Sequence, residues 1–350
     1  MIKAKGIATK APQDQLAPFS FERRNPKEHD VVIDIKYCGI CHSDIHQARN
    51  EWGHSTYPMV PGHEIAGVVR QVGDKVTKYK IGDHVGVGCF VDSCRTCSSC
   101  KQDLDNYCLE GHTMTYNSLE RDGSAITMGG YSNVIVVDEN YVLKIPNSIP
   151  LDKAAPLLCA GITLYSPLMH WKAGPHKKVG ILGMGGLGHM GVKIGVALGA
   201  EITVLSHSDK KKDDAMKMGA HNFVATKDPE NLKKYAGYFD LIINTVSSAD
   251  INMMDYFNLL KLDATLVALG APEKPLSISP FPLILMRRNY SGSVIGGIKE
   301  TQEMLDFCSK HNIVPEIEVI ASSQVNQAYE RILKSDVRYR FVIDMESLKY

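Results

Sequence analysis

The stretch between residues 178 and 205 constrains the fold more than any other. It reads as a strand, Lys178-Val179-Gly180-Ile181-Leu182, then Gly183-Met184-Gly185-Gly186-Leu187-Gly188, then a helical run from His189 to Gly199, then a second strand, Glu201-Ile202-Thr203-Val204-Leu205. A Gly-x-Gly-x-x-Gly run alone is weak, but set between a strand and a helix it marks a βαβ unit that binds a dinucleotide. The glycines permit the tight turn and let the backbone approach a pyrophosphate at the helix N-terminus, where free N–H groups point outward. Gly183, Gly185, Gly186, Leu187 and Gly188 are therefore candidate phosphate contacts. The plainer alternative is a tight turn that holds no ligand.

Later residues extend the same pattern. Phe239–Val246 and Ala264–Gly270 are continuous apolar runs, as expected of parallel strands buried on both faces. Ser291–Gly297 reads as the last strand and a turn, with Ser293 and Ile295 as further candidate cofactor contacts. The second strand of the βαβ unit ends in Ser206-His207-Ser208-Asp209-Lys210-Lys211-Lys212. A site for NAD would carry an acidic residue there for the ribose 2′-hydroxyl. Hydroxyls and cations in its place favour the 2′-phosphate of NADP(H), although the lysines also suit an ordinary solvated helix start.

A chain of 350 residues exceeds the ~250–300 at which single cores stop growing, so two domains are expected. Residues 1–90 are mostly β in texture: Val31–Tyr37, Ile65–Gly73 and Tyr79–Val87 read as strands between Gly and Pro punctuation. Tyr131–Val137 is another strand, and Asp152–Tyr165 reads as a helix carrying Cys159 alone among apolar residues. Thr301–His311 and Arg340–Asp344 read as a closing helix and strand. Lys plus Arg equals Asp plus Glu, 39 each, so no basic field recruits nucleic acid or anionic lipid. No apolar run approaches the ~20 residues of a membrane helix, and the N-terminus has no signal core. A cytoplasmic protein is expected, and its nine cysteines suit metal binding or free thiols better than disulfides.

Two cysteine-bearing stretches carry chemistry. Cys94, Cys97, Cys100 and Cys108 can wrap four thiolates around one ion with no open position, which suits a structural zinc. An iron–sulfur cluster would bring its fourth cysteine sooner and before a proline; here the gap is seven residues and Leu109 comes next. Residues 38–46, Cys-Gly-Ile-Cys-His-Ser-Asp-Ile-His, put Cys41, Ser43, Asp44 and two histidines into six residues, with Gly62-His63-Glu64 some twenty residues on. Thiolate and imidazole suit zinc, and a hydroxyl with a spare histidine can move a proton. A polar loop of packed side chains is the alternative. Cys159, judged on its surroundings alone, is a buried structural thiol.

In order along the chain, these motifs resemble the zinc-dependent alcohol dehydrogenases of the medium-chain dehydrogenase/reductase superfamily, most of all the cinnamyl alcohol dehydrogenase branch and its bacterial aldehyde-reductase relatives. Cys-Gly-Ile-Cys-His-Ser-Asp (38–44), Val-Pro-Gly-His-Glu (60–64), the four-cysteine lobe, Pro-Leu-Leu-Cys-Ala-Gly-Ile-Thr (156–163), the 183–191 glycine turn and Arg-Tyr-Arg-Phe-Val-Ile-Asp (338–344) carry the likeness. The resemblance implies an α/β protein. A GroES-like catalytic domain over 1–159 and 299–350 would carry a structural zinc lobe at about 89–110, and a Rossmann domain over 160–298 would bind NADP. It implies two zinc ions per chain. Cys41, His63 and Cys159 would be the catalytic ligands, reversing the reading of Cys159, with Glu64 behind the metal. Asp44 would fix the His63 tautomer, and Ser43 and His46 would relay a proton. Thr163 would pack on the nicotinamide, and Ser206, Ser208 and Lys211 would hold the 2′-phosphate. The implied reaction is hydride transfer between NADP(H) and an aldehyde/primary alcohol pair, in a homodimer joined by Rossmann edge strands; sequence alone leaves Phe281–Ser293 either edge or core.

There are departures. Plant members carry Trp ahead of a Ser-Tyr-Asn run; here Met114 precedes Thr115-Tyr116-Asn117, which implies a broader aldehyde range. His207 replaces a common Ser or Thr, Trp52 and Tyr57 are pocket walls or ordinary packing, Cys38 reads as core, and His42 has no assigned role. A polyol or amino-alcohol dehydrogenase of the same superfamily is the near rival, and a non-catalytic zinc- and nucleotide-binding protein the distant one.

Overall fold

The computed structural model describes residues 1–272 and 274–349. The chain forms two compact units, Met1–Ile162 with Gly296–Tyr350, and Thr163–Ile295.

The first unit is built on the strand Asp30–Gly39, whose apolar residues are buried because it is flanked along both edges. One edge pairs antiparallel with Ile65–Val72. The other is shared, its first half with Val134–Asp138 and its last residues with Arg340–Asp344. Ile317–Ala321, His84–Val87 and Leu143–Lys144 complete a seven-stranded sheet. Where the central strand ends, Gly39 N–H donates to the Glu64 carbonyl and Ile40 N–H to the Phe341 carbonyl, each at 2.9 Å. Those two bonds bring the residues after Gly39, before Ile65 and at Arg340 to one end of the sheet.

Several sequence boundaries move, each for a local reason. Tyr79–Val87 is a strand only over His84–Val87: Gly82 has φ 90° and the Asp83 carboxylate accepts from Lys80 N–H at 3.0 Å, so the chain turns there. The Tyr131–Val137 run becomes a strand only at Val134, because Tyr131 and Asn133 direct their N–H groups to the Pro61 and Lys5 carbonyls. The helix expected from Asp152 is three pieces: Leu151–Ala154, a 3-10 turn Ala155–Leu158, and Ala160–His170. Pro156, which has no N–H to give, sits in the tight turn, and Cys159 breaks the run at φ −127°, ψ −67°. The last strand of the second unit is Asn289–Gly292 rather than Ser291–Gly297.

The second unit is a six-stranded parallel sheet in the order Asn222–Ala225, Glu201–Ser206, Lys178–Leu182, Phe239–Asn244, Leu260–Ala268, Asn289–Gly292. Counted along the chain this is 3-2-1-4-5-6, the doubly wound order that binds dinucleotides where the order reverses, at the carboxyl end of its first strand. Phe239, Ile242, Phe257, Leu260 and Leu266 are fully buried in its core, each worth ~1.5–3 kcal/mol of burial. Asn289–Gly292 is an edge strand, and the short helix Phe281–Ile284 ahead of it in the chain leaves Phe281 and Ile284 about two-thirds exposed. The segment that sequence left as edge or core is edge. No helix among the described residues is long and apolar enough to cross a membrane.

Candidate active site

The donor atoms of Cys41, His63, Glu64 and Cys159 lie within 4.8 Å of one another, and all four residues are buried. Cys41 caps the helix His42–Ala48, where the helix N-terminus favours a thiolate. His63 and Glu64 precede the strand Ile65–Val72, and Cys159 enters from the break before Ala160. The two sulfurs stand 3.8 Å apart. Two thiolates at ~2.3 Å on one tetrahedral zinc stand about 3.8 Å apart, so the pair fits that ion as it is. The hydrogen bond from Cys159 holds the Cys41 thiol well below its usual range, against burial, and the same sharing pushes Cys159 well above it. A common divalent cation is what would let both ionise.

Burial pushes the Glu64 acid up to about 7, opposed by Arg340, which forms a buried ion pair with it. That pairing leaves Glu64 Oε2 without a hydrogen-bond partner. Gly39 is required beside it, since a Cβ there would lie 1.9 Å from that oxygen. Burial pulls His63 down, but Asp44, Cys89 and Cys41 together hold its imidazole well above the usual range. Asp44, fully buried, accepts from Cys41 N–H at 2.9 Å, Gly62 N–H at 3.2 Å, His63 Nδ1 at 3.1 Å and the Tyr131 hydroxyl at 3.1 Å. It fixes which His63 nitrogen faces the cluster.

Ser43 lies beside the cluster, its Oγ 3.6 Å from Cys41 Sγ. His46 is buried, pairs through Nδ1 with the Glu51 carboxylate and stacks on Trp52 with ring centres 4.9 Å apart. His42 is exposed and packs on the His46 ring. Tyr57 ties its hydroxyl to the Ala48 carbonyl at 2.9 Å, an ordinary packing role. Glu51, Tyr116, Tyr131, Tyr329, Arg340 and Cys89 carry no sequence signal that singles them out. Tyr116 stacks on His63 at 5.9 Å. Arg340 stands inside the 338–344 motif, and Glu51 is the neighbour of Trp52, but no spacing rule links either to residues so distant or so loosely placed.

The four-cysteine lobe closes by itself. Cys94 and Cys100 sulfurs are 3.9 Å apart, and Cys94, Cys97, Cys100 and Cys108 meet the same 4.8 Å limit. N–H groups of Cys97 and Leu109 point at the sulfurs of Cys94 and Cys97. N–H groups hold Cys97 down to about 6, while burial pushes Cys100 up to about 12. Four thiolates again need a cation.

In the second unit, Gly183 has φ 94°, and a Cβ on Gly188 would lie 1.9 Å from the Gly183 carbonyl oxygen. Both glycines serve the turn itself. Gly185 faces open space, the face a phosphate would approach. Lys211 Nζ donates to the Met184 carbonyl at 2.8 Å, so the end of the second strand reaches the glycine turn. Ser206 and Ser208 are half-exposed and His207 exposed. Thr163 is buried at the start of the unit; Ser293 N–H donates to Ala268 O at 3.3 Å, and Ile295 holds φ 39°, uncommon for a β-branched residue.

Residues 27–147 match the alcohol dehydrogenase GroES-like domain, and residues 186–310 the zinc-binding dehydrogenase domain. The chain is 59% identical over 348 residues to NADP-dependent alcohol dehydrogenase C of Mycobacterium tuberculosis, spanning 99% of this chain and 100% of that one. A cinnamyl alcohol dehydrogenase from Sorghum bicolor has the same fold at TM-score 0.96, 44% identity and 99% of both chains. The Helicobacter pylori cinnamyl alcohol dehydrogenase complexed with NADP(H) gives 0.93 and 46%, again over 99% of both. With two thiolate-rich clusters in a GroES-like unit and a glycine turn at the switch point of a doubly wound sheet, the chain belongs to the zinc-binding alcohol dehydrogenase family.

Proposed function

We propose that the protein is an NADP(H)-dependent zinc alcohol dehydrogenase, or aldehyde reductase, with a broad range of aromatic and aliphatic aldehyde/primary alcohol pairs. The buried Cys41–His63–Glu64–Cys159 cluster carries this reading. Cys41, His63 and Cys159 would hold a catalytic zinc with Glu64 in reserve, and Cys94, Cys97, Cys100 and Cys108 a structural one. When bound, zinc polarises a carbonyl and the nicotinamide carries hydride. The chain's own residues then handle position and protons. Asp44 keeps His63 in one tautomer. Ser43 gives its proton to the substrate oxygen, and His46, backed by Glu51, restores it.

The 183–188 turn would take the pyrophosphate, Ser206, Ser208 and Lys211 the 2′-phosphate, and Thr163, Ser293 and Ile295 the nicotinamide end. Met114, where plant members have a large aromatic residue, supports a wide substrate range. The exposed Phe281 and Ile284 ahead of an edge strand support a homodimer joined there. Nine free thiols suit a reducing cytoplasm.

The test follows NADPH absorbance with benzaldehyde, cinnamaldehyde, a short aliphatic aldehyde and a polyol, with and without a chelator, and repeats it with NADH. Chelator-sensitive aldehyde reduction preferring NADPH is expected. Turnover of the polyol alone, or a clear preference for NADH, would overturn the respective part of the reading.

A further inference from the structure

Behind His63 runs a line of hydroxyls that the proposed chemistry does not use. Of the four donors that bond Asp44 within 3.2 Å among the described residues, three belong to the segments that carry the candidate ligands: Cys41 N–H, Gly62 N–H and His63 Nδ1. The fourth, the Tyr131 hydroxyl, comes from a separate segment. A phenol has one proton to give, and here its direction is set: the Tyr329 hydroxyl donates to the Tyr131 oxygen at 3.4 Å, and Tyr131 donates to Asp44 Oδ2 at 3.1 Å. Both phenols are buried, and burial together with Asp44 pushes them well above the usual range, so they stay donors.

The ring is held as firmly as the hydroxyl. Gly129, Gly130 and Tyr131 N–H groups donate to the carbonyls of Val60, Gly62 and Pro61 at 2.7, 2.8 and 2.9 Å. Gly62, at φ 105°, lacks a Cβ that would lie 2.6 Å from the Tyr131 ring, so the ring packs directly on the backbone beside His63. At the far end Tyr329 sits in the helix Val325–Leu333, which Asn326 clamps to the Leu16 backbone by bonds of 3.0 and 2.9 Å.

We propose that Tyr131, itself aimed by Tyr329, is a positioning residue of the metal centre, acting through Asp44 to orient the His63 imidazole and set how tightly that histidine holds the ion. The proposal rests on His63 being a zinc ligand. Partners at this remove from a metal are worth ~10–100-fold in affinity when lost, and Tyr131 stands one step further out than Asp44, so the lower end applies.

The test measures zinc affinity at this centre by competition with a chromophoric chelator, and the visible absorption of the cobalt-substituted full-length protein. Tyr131→Phe is expected to lower zinc affinity about tenfold and to shift the cobalt bands. Tyr329→Phe should do the same to a smaller extent, and the double variant should match Tyr131→Phe alone, because the two hydroxyls act in series. Asp44→Asn is the positive control. Tyr79→Phe, which removes a half-buried hydroxyl bonded to Val142 O at 2.6 Å elsewhere in the unit, should leave both readouts unchanged. Unaltered affinity and cobalt bands in Tyr131→Phe, with Asp44→Asn impaired, overturn the proposal; so do additive effects of the two tyrosines. Should Tyr131→Phe not fold, Tyr329→Phe decides by the same two readouts. A wild-type protein that takes up no zinc at this centre refutes instead the ligand assignment beneath it.

Discussion

Arg340→Met isolates the energetics of the centre. The Arg340 and Glu64 side chains are 6% and 0% exposed, and their ion pair lies where solvent cannot replace a lost partner. Removing one member of such a pair costs about 3–5 kcal/mol where the other stays charged and buried. For a unit of this size that is a fall of roughly 6–20 °C in Tm. Glu64 has an escape, which is to bind a proton. Its acid already stands at about 7 with Arg340 opposing burial, and goes higher without it. An acid raised on folding contributes stability that is present below the unfolded value of ~4.3 and is lost as pH rises through the folded one. Wild type stops losing this contribution near pH 7, whereas the variant continues. The gap between them should therefore widen above about pH 7, by at most ~1.4 kcal/mol per pH unit. Calorimetric scans of the zinc-stripped proteins at about pH 6, 7 and 8.5 read this directly, since the neighbouring Cys41 and His63 titrate in both. Glu64→Leu/Arg340→Met, with no charge left to strand, should recover most of the loss. A pH-independent gap, a Tm fall below about 3 °C, or a double variant no better than the single would contradict this account of the ion pair.

Metal analysis of Cys97→Ser should find one zinc per chain where the parent has two, and Cys41→Ala should lose the other zinc together with turnover while far-UV circular dichroism is kept. Gly188→Ala should abolish NADPH binding by fluorescence titration, because its Cβ would meet the Gly183 carbonyl at 1.9 Å, whereas Lys211→Ala should raise the NADPH Kd about tenfold and leave NADH binding unchanged. Asp240 accepts from Lys261 Nζ and Lys178 N–H, each at 2.9 Å, and these bonds hold its carboxyl below the usual range against burial. Its contribution is present above an unfolded value of ~3.9 and lost as pH falls through the folded one. Asp240→Asn should thus cost ~0.5–1 kcal/mol at neutral pH in urea unfolding, and the gap should close in acid.

The parts of this molecule legible from sequence are those whose chemistry is local. The glycine turn, the four-cysteine lobe and the Cys41–Asp44 run each place their residues within one or two turns of chain, so spacing alone carries geometry. Cys159 is not legible in that way. Its neighbours are uniformly apolar, and only likeness to a family separates it from a packed thiol; the break that turns it inward, between the 3-10 turn Ala155–Leu158 and the helix from Ala160, is visible only in the fold. Tyr131, Tyr329 and Arg340 are invisible for a related reason. Each acts across 87 or more residues of sequence, through one hydroxyl or one guanidinium, with no periodic pattern to announce it. Strand ends such as Tyr79–Asp83 are misplaced by pattern because a side-chain bond to a nearby N–H outweighs the apolar alternation.

The shared edge of the central strand has a consequence for how the chain is made. Asp30–Gly39 cannot complete its pairing until Arg340–Asp344 has been synthesised, some three hundred residues later. The parallel sheet of Thr163–Ile295 is contiguous and can close as soon as its own strands have left the ribosome. Glu64 accordingly does not meet the Arg340 guanidinium until that residue emerges. The insert can therefore mature first, and the centre acquires the Arg340 counter-charge only once that residue has been made.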